Sequence, residues 1–599
     1  MLKRRIDKVE NTKNKLLSIS NLKKYFPIAK SSIFQKEQLY VKANEDISLD
    51  ICEGETIGVV GESGCGKSTF GRVLLQLYDQ TAGESIYYGR TLAEVAPSYI
   101  KDTITHINKY IAKYKKLQAQ ADELQKKVDE VGEDNADFFL LQNCNLAKAN
   151  AKTQLLHIVK IVGGFFAVED RQDGCNQLLA IHNMNVRIAQ LRDKLAVEKT
   201  KTEYYLGLED KTKKDGTVIK AEDNPKLIKS RAKADALQAE IDRLLVLNDE
   251  QRAKLAEIKQ RYEGNEEFAK YEAMTDEGVD LARLKYNEIR PLRRDLQIIF
   301  QDPYSSLNPR MTVGQIIEEG LVTHKFFRHG SKAMKDYIIK TMEECGLQDY
   351  MLHRYPHQFS GGQRQRICIA RALAVKPKFV VCDECVSALD VSIQSQIINL
   401  LDELKQKEGL TYLFISHDLS VVRYISDKIA VMYLGNLVEY ADAETIFNDP
   451  RHPYTIALLS SIPTTDIESL SKDRILLEGN IPSPIRPPQG CKFHTRCYMK
   501  CDKCDRVPPQ LVEVAPGHFV ACHRLEKKLD ENGNYLFELP KMVKKTAKVD
   551  GVRVDPSEQE PLNNDLTVEP VGEPVESVMD PTPTPAPTQA EPTDENAQD

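Results

Sequence analysis

No stretch of the 599 residues holds about 18 consecutive apolar side chains, so no segment is expected to cross a membrane by itself. The N-terminus, MLKRRIDKVENTKNKLL, is basic but has no apolar stretch behind its charges, which excludes a secretory signal. A basic excess is missing as well. The net charge is −7, which removes the usual reason to expect a nucleic-acid partner. Lys and Arg are absent from Asp555 onward, where Pro, Glu, Asp and Thr dominate, so 541–599 is expected to be an acidic, proline-rich disordered tail.

What is present suggests several domains, on the order of three or four for this length. Hydrophobic residues make up 41%, enough for real cores, and charged residues 29%, a surplus that points to long solvated helices. The chain is organised around Gly61 to Thr69, GESGCGKST, which fills every fixed position of the phosphate-loop pattern G-x-x-x-x-G-K-[ST]. The run Glu55 to Val60 before it is expected to be a buried strand, and Phe70 to Tyr78 the start of a helix. Gly61, Gly64 and Gly66 let the backbone turn its N–H groups onto a phosphate, and a helix N-terminus adds partial positive charge there. Lys67 suits the β- and γ-phosphates, and the Ser68 hydroxyl suits Mg²⁺.

Residues 15–54 alternate apolar and polar side chains and predict a small antiparallel sheet leading into that loop. Tyr25 and Phe26 lie in it, as an adenine platform or as ordinary strand aromatics. The span 91–290 is rich in Lys, Glu, Ala and Leu at helical spacing. Ala234, Leu237, Ile241, Leu244, Leu255, Ile258 and Tyr262 keep one heptad register, with Asn248 and Gln251 as polar interruptions. A 3.5-residue repeat with a charged remainder predicts a coiled coil, here an antiparallel hairpin because the chain must return. The more apolar segment Phe138 to Val168 is expected to be a packed tip or a third helix. The span is read either as a decoration or as a docking arm for a partner.

The core resumes near Arg293. Leu296 to Phe300 reads as a strand with Gln301 at its end, and Ser360-Gly361-Gly362-Gln363 opens a helix with free N–H groups. Phe379 to Cys382 runs into Asp383-Glu384, Ser387-Ala388-Leu389-Asp390 follows, and the strand Tyr412–Ile415 ends at Ser416-His417-Asp418. Strands alternating with helices, with polar residues at the strand C-terminal ends, predict an open α/β fold with its ligand site at those ends.

These segments, in this order, resemble the ATP-binding subunits of ABC transporters over roughly 15–90 and 291–523. IFQDPYSSLNPRMTVGQII, SHDLSVVRYISDKIAVMYLG, HPYTIALLSSIP and GCKFHTRC resemble the oligopeptide/dipeptide importer ATPases in particular. The resemblance implies a P-loop core made of a RecA-like sheet, an antiparallel β subdomain and a helical signature subdomain. Two such domains would pair head to tail around ATP. Gly61, Ser63, Gly64, Cys65, Gly66, Lys67, Ser68 and Thr69 would hold phosphates, with Ser68, Gln301 and Asp383 around Mg²⁺. Glu384 would be the general base, and His417 would contact the γ-phosphate. Gln301 would also sense the membrane subunit. Ser360, Gly361, Gly362 and Gln363, with Asp390, would close on the partner's ATP, and Phe26, or Tyr25 beside it, would stack on adenine. The implied partners are a second, OppD-like ATPase subunit, OppB- and OppC-like permeases and an OppA-like peptide-binding protein, with the chain peripheral on the cytoplasmic face of the cell membrane. Cys385 departs from the family's usual Pro, which is expected to loosen the turn after Glu384 without removing chemistry.

Five of the 13 cysteines crowd into one segment. The resemblance implies a 4Fe–4S cluster on Cys491, Cys497, Cys504 and Cys522. A structural Zn²⁺, for which Cys501-x-x-Cys504 is suited, and free thiols remain alternatives. His494 and His523 lie close by as supporting residues. The expected domains are 15–90 and 291–455 (ATPase), 91–290 (helical insertion), 456–540 (a small cysteine-bearing C-terminal domain) and the tail. Two other functions are weighed: an SMC-type coiled-coil ATPase acting on DNA, against which the coil precedes rather than follows Gln301, and a regulatory subunit that binds ATP without turnover, against which Glu384 and His417 are both present.

Overall fold

A computed structural model describes residues 14–29, 39–132, 138–206, 211–212, 218–219, 224–462, 475–525, 528–529 and 535–536. The expected tail at 541–599 lies outside them.

An eight-stranded sheet forms the centre. Its parallel strands are Lys428–Tyr433, Thr56–Val60, Thr411–Ile415, Phe379–Asp383 and, at the edge, Leu296–Ile299, paired in that order. Each of the strands Thr56–Val60, Phe379–Asp383 and Thr411–Ile415 is buried along its whole length, because helices cover both faces. All these strands therefore deliver their C-terminal ends to one edge. The helix after the phosphate loop runs Lys67–Leu74, earlier than the expected Phe70 to Tyr78. Gln76 turns into the left-handed region and stops it.

A second, four-stranded sheet is antiparallel and joins Lys15–Pro27, Tyr40–Cys52, Ala82–Tyr87 and Val279–Asp280. Its fourth strand comes from inside the span expected to be insertion. Tyr87 pairs with Val279, and the Leu92 N–H donates to the Glu277 carbonyl at 2.9 Å, so the excursion leaves and returns at one place.

The excursion is two antiparallel helical pairs rather than one hairpin. Ile107–Val131 packs on Phe138–Val162, and Gln172–Leu206 packs on Pro225–Gln260. Of Phe138 to Val168, expected to be a packed tip or a third helix, Phe138–Val162 is a helix and 163–168 is the base between the pairs rather than a tip. There Phe165 sits edge-on to Phe268 in a core with Ile104, Ile158 and Val168. The heptad positions Ala234, Leu237, Ile241 and Leu244 meet Ile188, Leu191 and Leu195 across the second pair. The polar interruptions are cross-helix bonds. Asn248 Nδ2 donates to Asn185 Oδ1 at 2.9 Å, and Gln177 Nε2 donates to the Gln251 side-chain oxygen at 2.8 Å. The far end of this pair lies on the helical region of the core, where Thr200 Oγ1 donates to the Lys325 carbonyl at 2.9 Å and Arg328 covers the Tyr204 ring.

The C-terminal segment is not a separate body. Val512–Ala515 and His518–Val520 extend the central sheet, Val520 pairing with Glu439 and Phe519 with Tyr440. The described residues up to 536 belong to one compact unit. The fully buried Glu439 carboxylate anchors this edge, accepting from His518 Nε2 at 2.8 Å and from the backbone N–H groups of Arg451 and His452.

Candidate functional site

The parallel edge gathers the predicted residues. Gly61 and Gly66 both lie at positive φ, 150° and 101°. A Cβ at Gly61 would strike the Met432 carbonyl, and one at Gly66 the Ala43 carbonyl, so only glycine permits the loop to fold against its neighbours. Gly66 caps the Lys67–Leu74 helix without a side-chain acceptor, which leaves the first-turn N–H groups of Lys67, Ser68 and Thr69 open to an anion. Lys67 Nζ is buried in the cradle and donates to the carbonyls of Gly61 at 2.8 Å and Glu62 at 3.2 Å. Ser63 and Gly64 face solvent at the crown of the loop, and Cys65 is buried beneath it.

Asp383 ends its strand with a side chain only 1% exposed. Its Oδ2 takes Arg72 at 3.2 Å, while Oδ1 is buried with no partner. An orphaned carboxylate oxygen at the end of a phosphate-loop sheet fits the water shell of Mg²⁺, and Ser68 stands on the neighbouring helix turn. Glu384 follows in the left-handed region, φ 47°, unusual for a side chain of its size. Its Oε2 accepts from Gln301 Nε2 at 2.8 Å, and His417 Nδ1 stands 3.8 Å away. Three segments far apart in sequence thus place Gln301, Glu384 and His417 together beside the loop.

Phe26 and Tyr25 separate by strand alternation. Tyr25 is buried and its hydroxyl donates to Glu45 at 2.8 Å, which occupies it. Phe26 is half-buried on the other face, edge-on to Tyr78, and pairs with Val41, two residues from the Ala43 carbonyl that touches Gly66. The structure leaves Phe26 as the available ring. Ser360 caps the helix Gly361–Leu373 in a reciprocal box with Gln363, so the Gln363 N–H expected to be free is satisfied by Ser360 Oγ. Gly361 and Gly362 lie against Leu389 and Ile393, on either side of Asp390, which begins the helix Val391–Glu408. Neither the Ser360 turn nor Asp390 has a bond to the phosphate loop.

Sequence reasoning missed a clamp on the loop. Arg496 binds Glu62 with both guanidinium nitrogens, at 2.8 and 3.0 Å, and this bond raises the already high Arg496 pKa. The Glu62 N–H donates to the Tyr454 hydroxyl at 2.9 Å. Lys492 pairs with Glu45 at 3.0 Å and donates to the Leu434 carbonyl. Burial opposes charge on Glu45, yet Lys492, Lys42 and Lys23 hold its carboxyl down at about 2. Phe493 packs among Tyr433, Tyr454 and His452. The only sequence signal was the position of Arg496 beside Cys497; an ion pair this distant in sequence has no local pattern.

The cysteine segment is folded around the same wall. The Cys491 N–H donates to the Cys504 carbonyl at 2.8 Å, and the sulfurs of Cys501 and Cys504 lie 3.2 Å apart. Burial pushes the thiols of Cys491, Cys497 and Cys522 up to about 12. No three of these sulfurs lie within 4.8 Å of one another. One tetrahedral zinc, with Zn–S of about 2.3 Å, requires about 3.8 Å between sulfurs. His494 and His523 turn ring nitrogens to the carbonyls of Cys491 and Val507, at 2.8 and 2.7 Å.

Comparison with known proteins agrees with this geometry. The family model described as ABC transporter matches residues 44–205 and 264–387, and that described as Oligopeptide/dipeptide transporter, C-terminal region, matches 438–504. The putative oligopeptide transport ATP-binding protein YkfD of Bacillus subtilis is 52% identical over 252 residues, 42% of this chain and 76% of that protein. The oligopeptide transport ATP-binding protein AppF of Bacillus subtilis is 50% identical over 248 residues, 41% of this chain and 75% of that protein. Among solved structures, the dimeric structure of MJ0796, a bacterial ABC transporter cassette, is 16% identical, covers 72% of this chain and 99% of that one, and has a TM-score of 0.35. Among the described residues no helix is long and apolar enough to cross a membrane. With a relative this similar matched over three quarters of its length, the chain belongs to the ATP-binding proteins of oligopeptide/dipeptide ABC transporters.

Proposed function

We propose that this chain binds and hydrolyses ATP to power the import of oligopeptides or dipeptides, paired head to tail with a second ATPase subunit on the cytoplasmic face of a permease pair. The observation that carries the reading is the convergence of Gln301, Glu384 and His417 on the edge that holds the phosphate loop. Phosphoryl transfer asks mainly for placement and charge neutralisation, and that edge supplies both. Lys67 and the first-turn N–H groups bind phosphates. Ser68, Gln301 and Asp383 would hold Mg²⁺, which would neutralise phosphate charge. Glu384 orients and deprotonates the attacking water, Gln301 holds the Glu384 carboxylate, His417 contacts the γ-phosphate, and Phe26 carries the adenine.

Within one chain the Ser360 turn and Asp390 make no bond to the loop, which supports a second subunit as the source of the closing groups. ATP then favours the closed pair because it contacts both halves only there. The partners are an OppD-like ATPase, OppB- and OppC-like permeases and an OppA-like peptide-binding protein. A 4Fe–4S cluster on Cys491, Cys497, Cys504 and Cys522 is the reading we favour for the cysteines.

The test is steady-state ATPase of the assembled complex carrying Glu384→Gln. Loss of a general base lowers turnover by about 10²–10⁴-fold while ATP binding persists. Turnover at the wild-type rate would sink the role given to Glu384.

A further inference from the structure

Glu84, His157 and Asp280 stand away from the nucleotide edge, at the root of the inserted helices. Glu84 lies on the strand Ala82–Tyr87, Asp280 on the neighbouring Val279–Asp280, and His157 on the helix Phe138–Val162. Asp280 pairs with Ile86, two residues from Glu84, so the sheet presents both carboxylates on one face as diagonal neighbours. The inserted helix lowers the imidazole onto them. One ligand atom from each residue falls within 4.8 Å of the others, and among the described residues no other group of His, Cys, Asp or Glu does this.

The donors have no hydrogen-bond partner. Glu84 Oε1, His157 Nε2 and Asp280 Oδ2 are each buried without one. The last two are 3.3 Å apart in a geometry that is not a hydrogen bond. The Glu84 and Asp280 side chains are 3% and 7% exposed. All three residues line one cavity of about 20 Å³, room for a single ion or water. The remaining atoms are held in place. Glu84 Oε2 takes Lys160 at 3.0 Å, Asp280 Oδ1 accepts from the Ala282 N–H at 3.1 Å, and the Asp280 N–H donates to the Tyr99 hydroxyl at 3.1 Å. Such outer bonds orient metal ligands. The charges on the cavity wall are the carboxylates of Glu84, Asp276 and Asp280 against Lys160 and Arg283, so a neutral His157 leaves the site negative.

We propose that Glu84, His157 and Asp280 bind one divalent transition-metal ion, Zn²⁺ by its preference for a compact nitrogen and oxygen donor set, and that this ion fastens the inserted arm to the ATPase sheet. A water in the small cavity completes a tetrahedron. The role is structural, because the site shares no residue with the nucleotide edge.

The full chain, stripped with a chelator, is titrated with Co²⁺ and separately loaded with Zn²⁺ for X-ray absorption. Wild type is expected to take up one equivalent whose spectrum carries Co²⁺ d–d bands without thiolate charge transfer, and His157→Gln to lose that equivalent. Hydrogen exchange at 150–165 and 279–284 should slow on loading in wild type and not in the variant. Asp280→Asn provides a second variant should His157→Gln not fold, and the zinc edge of wild type alone reports nitrogen and oxygen scatterers. Equal uptake by wild type and variant, or cobalt and zinc signals from sulfur ligation only, overturns the proposal. Because ATP turnover is not the readout, failure here leaves the reading of the nucleotide site untouched.

Discussion

Removing Arg496 should loosen the phosphate loop from outside the loop itself. Its side chain is 7% exposed and holds a Glu62 side chain that is 23% exposed, through two bonds of 2.8 and 3.0 Å. A surface pair of this kind is worth about 0–1 kcal/mol, and a fully buried one loses about 3–5 kcal/mol when one partner goes. This pair lies between those limits, because Glu62 regains water once Arg496 is gone while the Arg496 pocket does not. Hydrogen bonds to charged groups are worth about 1.5–3 kcal/mol, so Arg496→Met should cost about 2 kcal/mol. That is roughly a thirty-fold rise in the population with the segment undocked, at about 1.4 kcal/mol per factor of ten. The strain should reach Glu62 itself, whose backbone N–H is tied to Tyr454 and whose carbonyl accepts from Lys67. The assay is a double-mutant cycle of Arg496→Met with Glu62→Gln, read as hydrogen exchange across 58–70 and 491–525 and as ATP affinity. Coupling of about 1–2 kcal/mol is expected. Additivity within about 0.5 kcal/mol, with loop exchange unchanged, would refute the clamp.

Asn248→Leu alone strands the buried Asn185 acceptor and should destabilise the second helical pair by about 1–3 kcal/mol, whereas Asn185→Leu with Asn248→Leu should recover or exceed wild-type stability in urea. Equal losses in the single and double variants would contradict this pairing. His452 is fully buried, burial lowers its pKa to about 4, and its Nδ1 accepts from the Tyr454 N–H. The folded state therefore keeps it neutral while the unfolded chain protonates near pH 6.5. Its contribution is present above about 6.5 and is lost as pH falls toward 4, about 3 kcal/mol at the limit. His452→Asn, which keeps the cap acceptor, should flatten the stability curve in that window; parallel curves would argue against a neutral buried imidazole. Gly66→Ala should abolish ATP binding, since its Cβ meets the Ala43 carbonyl at φ 101°; wild-type affinity in a nucleotide titration would count against the geometry.

The nucleotide site was legible in the sequence because its parts are local. A loop of glycines with Lys67 and Ser68, a strand ending in Asp383-Glu384 and a helix opened by Ser360 each depend on backbone conformations set within a few residues. Strand alternation likewise marks Tyr25 and Phe26 as facing opposite ways, but which face meets Glu45 is a matter of packing. The heptad positions from Ala234 to Tyr262 told that a helix pair exists. They did not tell how many, since periodicity records a face and not its partner, and Phe165 at 163–168 proved to be the root of two pairs.

The sequence by itself determined the residues on which the chemistry is proposed to rest: a glycine loop with its lysine, a carboxylate pair at a strand end and a group of cysteines, each written in short-range spacing. Only the tertiary structure decided what holds them. The pairing of Val279–Asp280 with Ala82–Tyr87, the docking of His518–Val520 on the central sheet and the grip of Arg496 on Glu62 join residues separated by tens to hundreds of positions. Such contacts follow from burial and charge compensation in the folded chain, and those forces leave no period or motif to read beforehand.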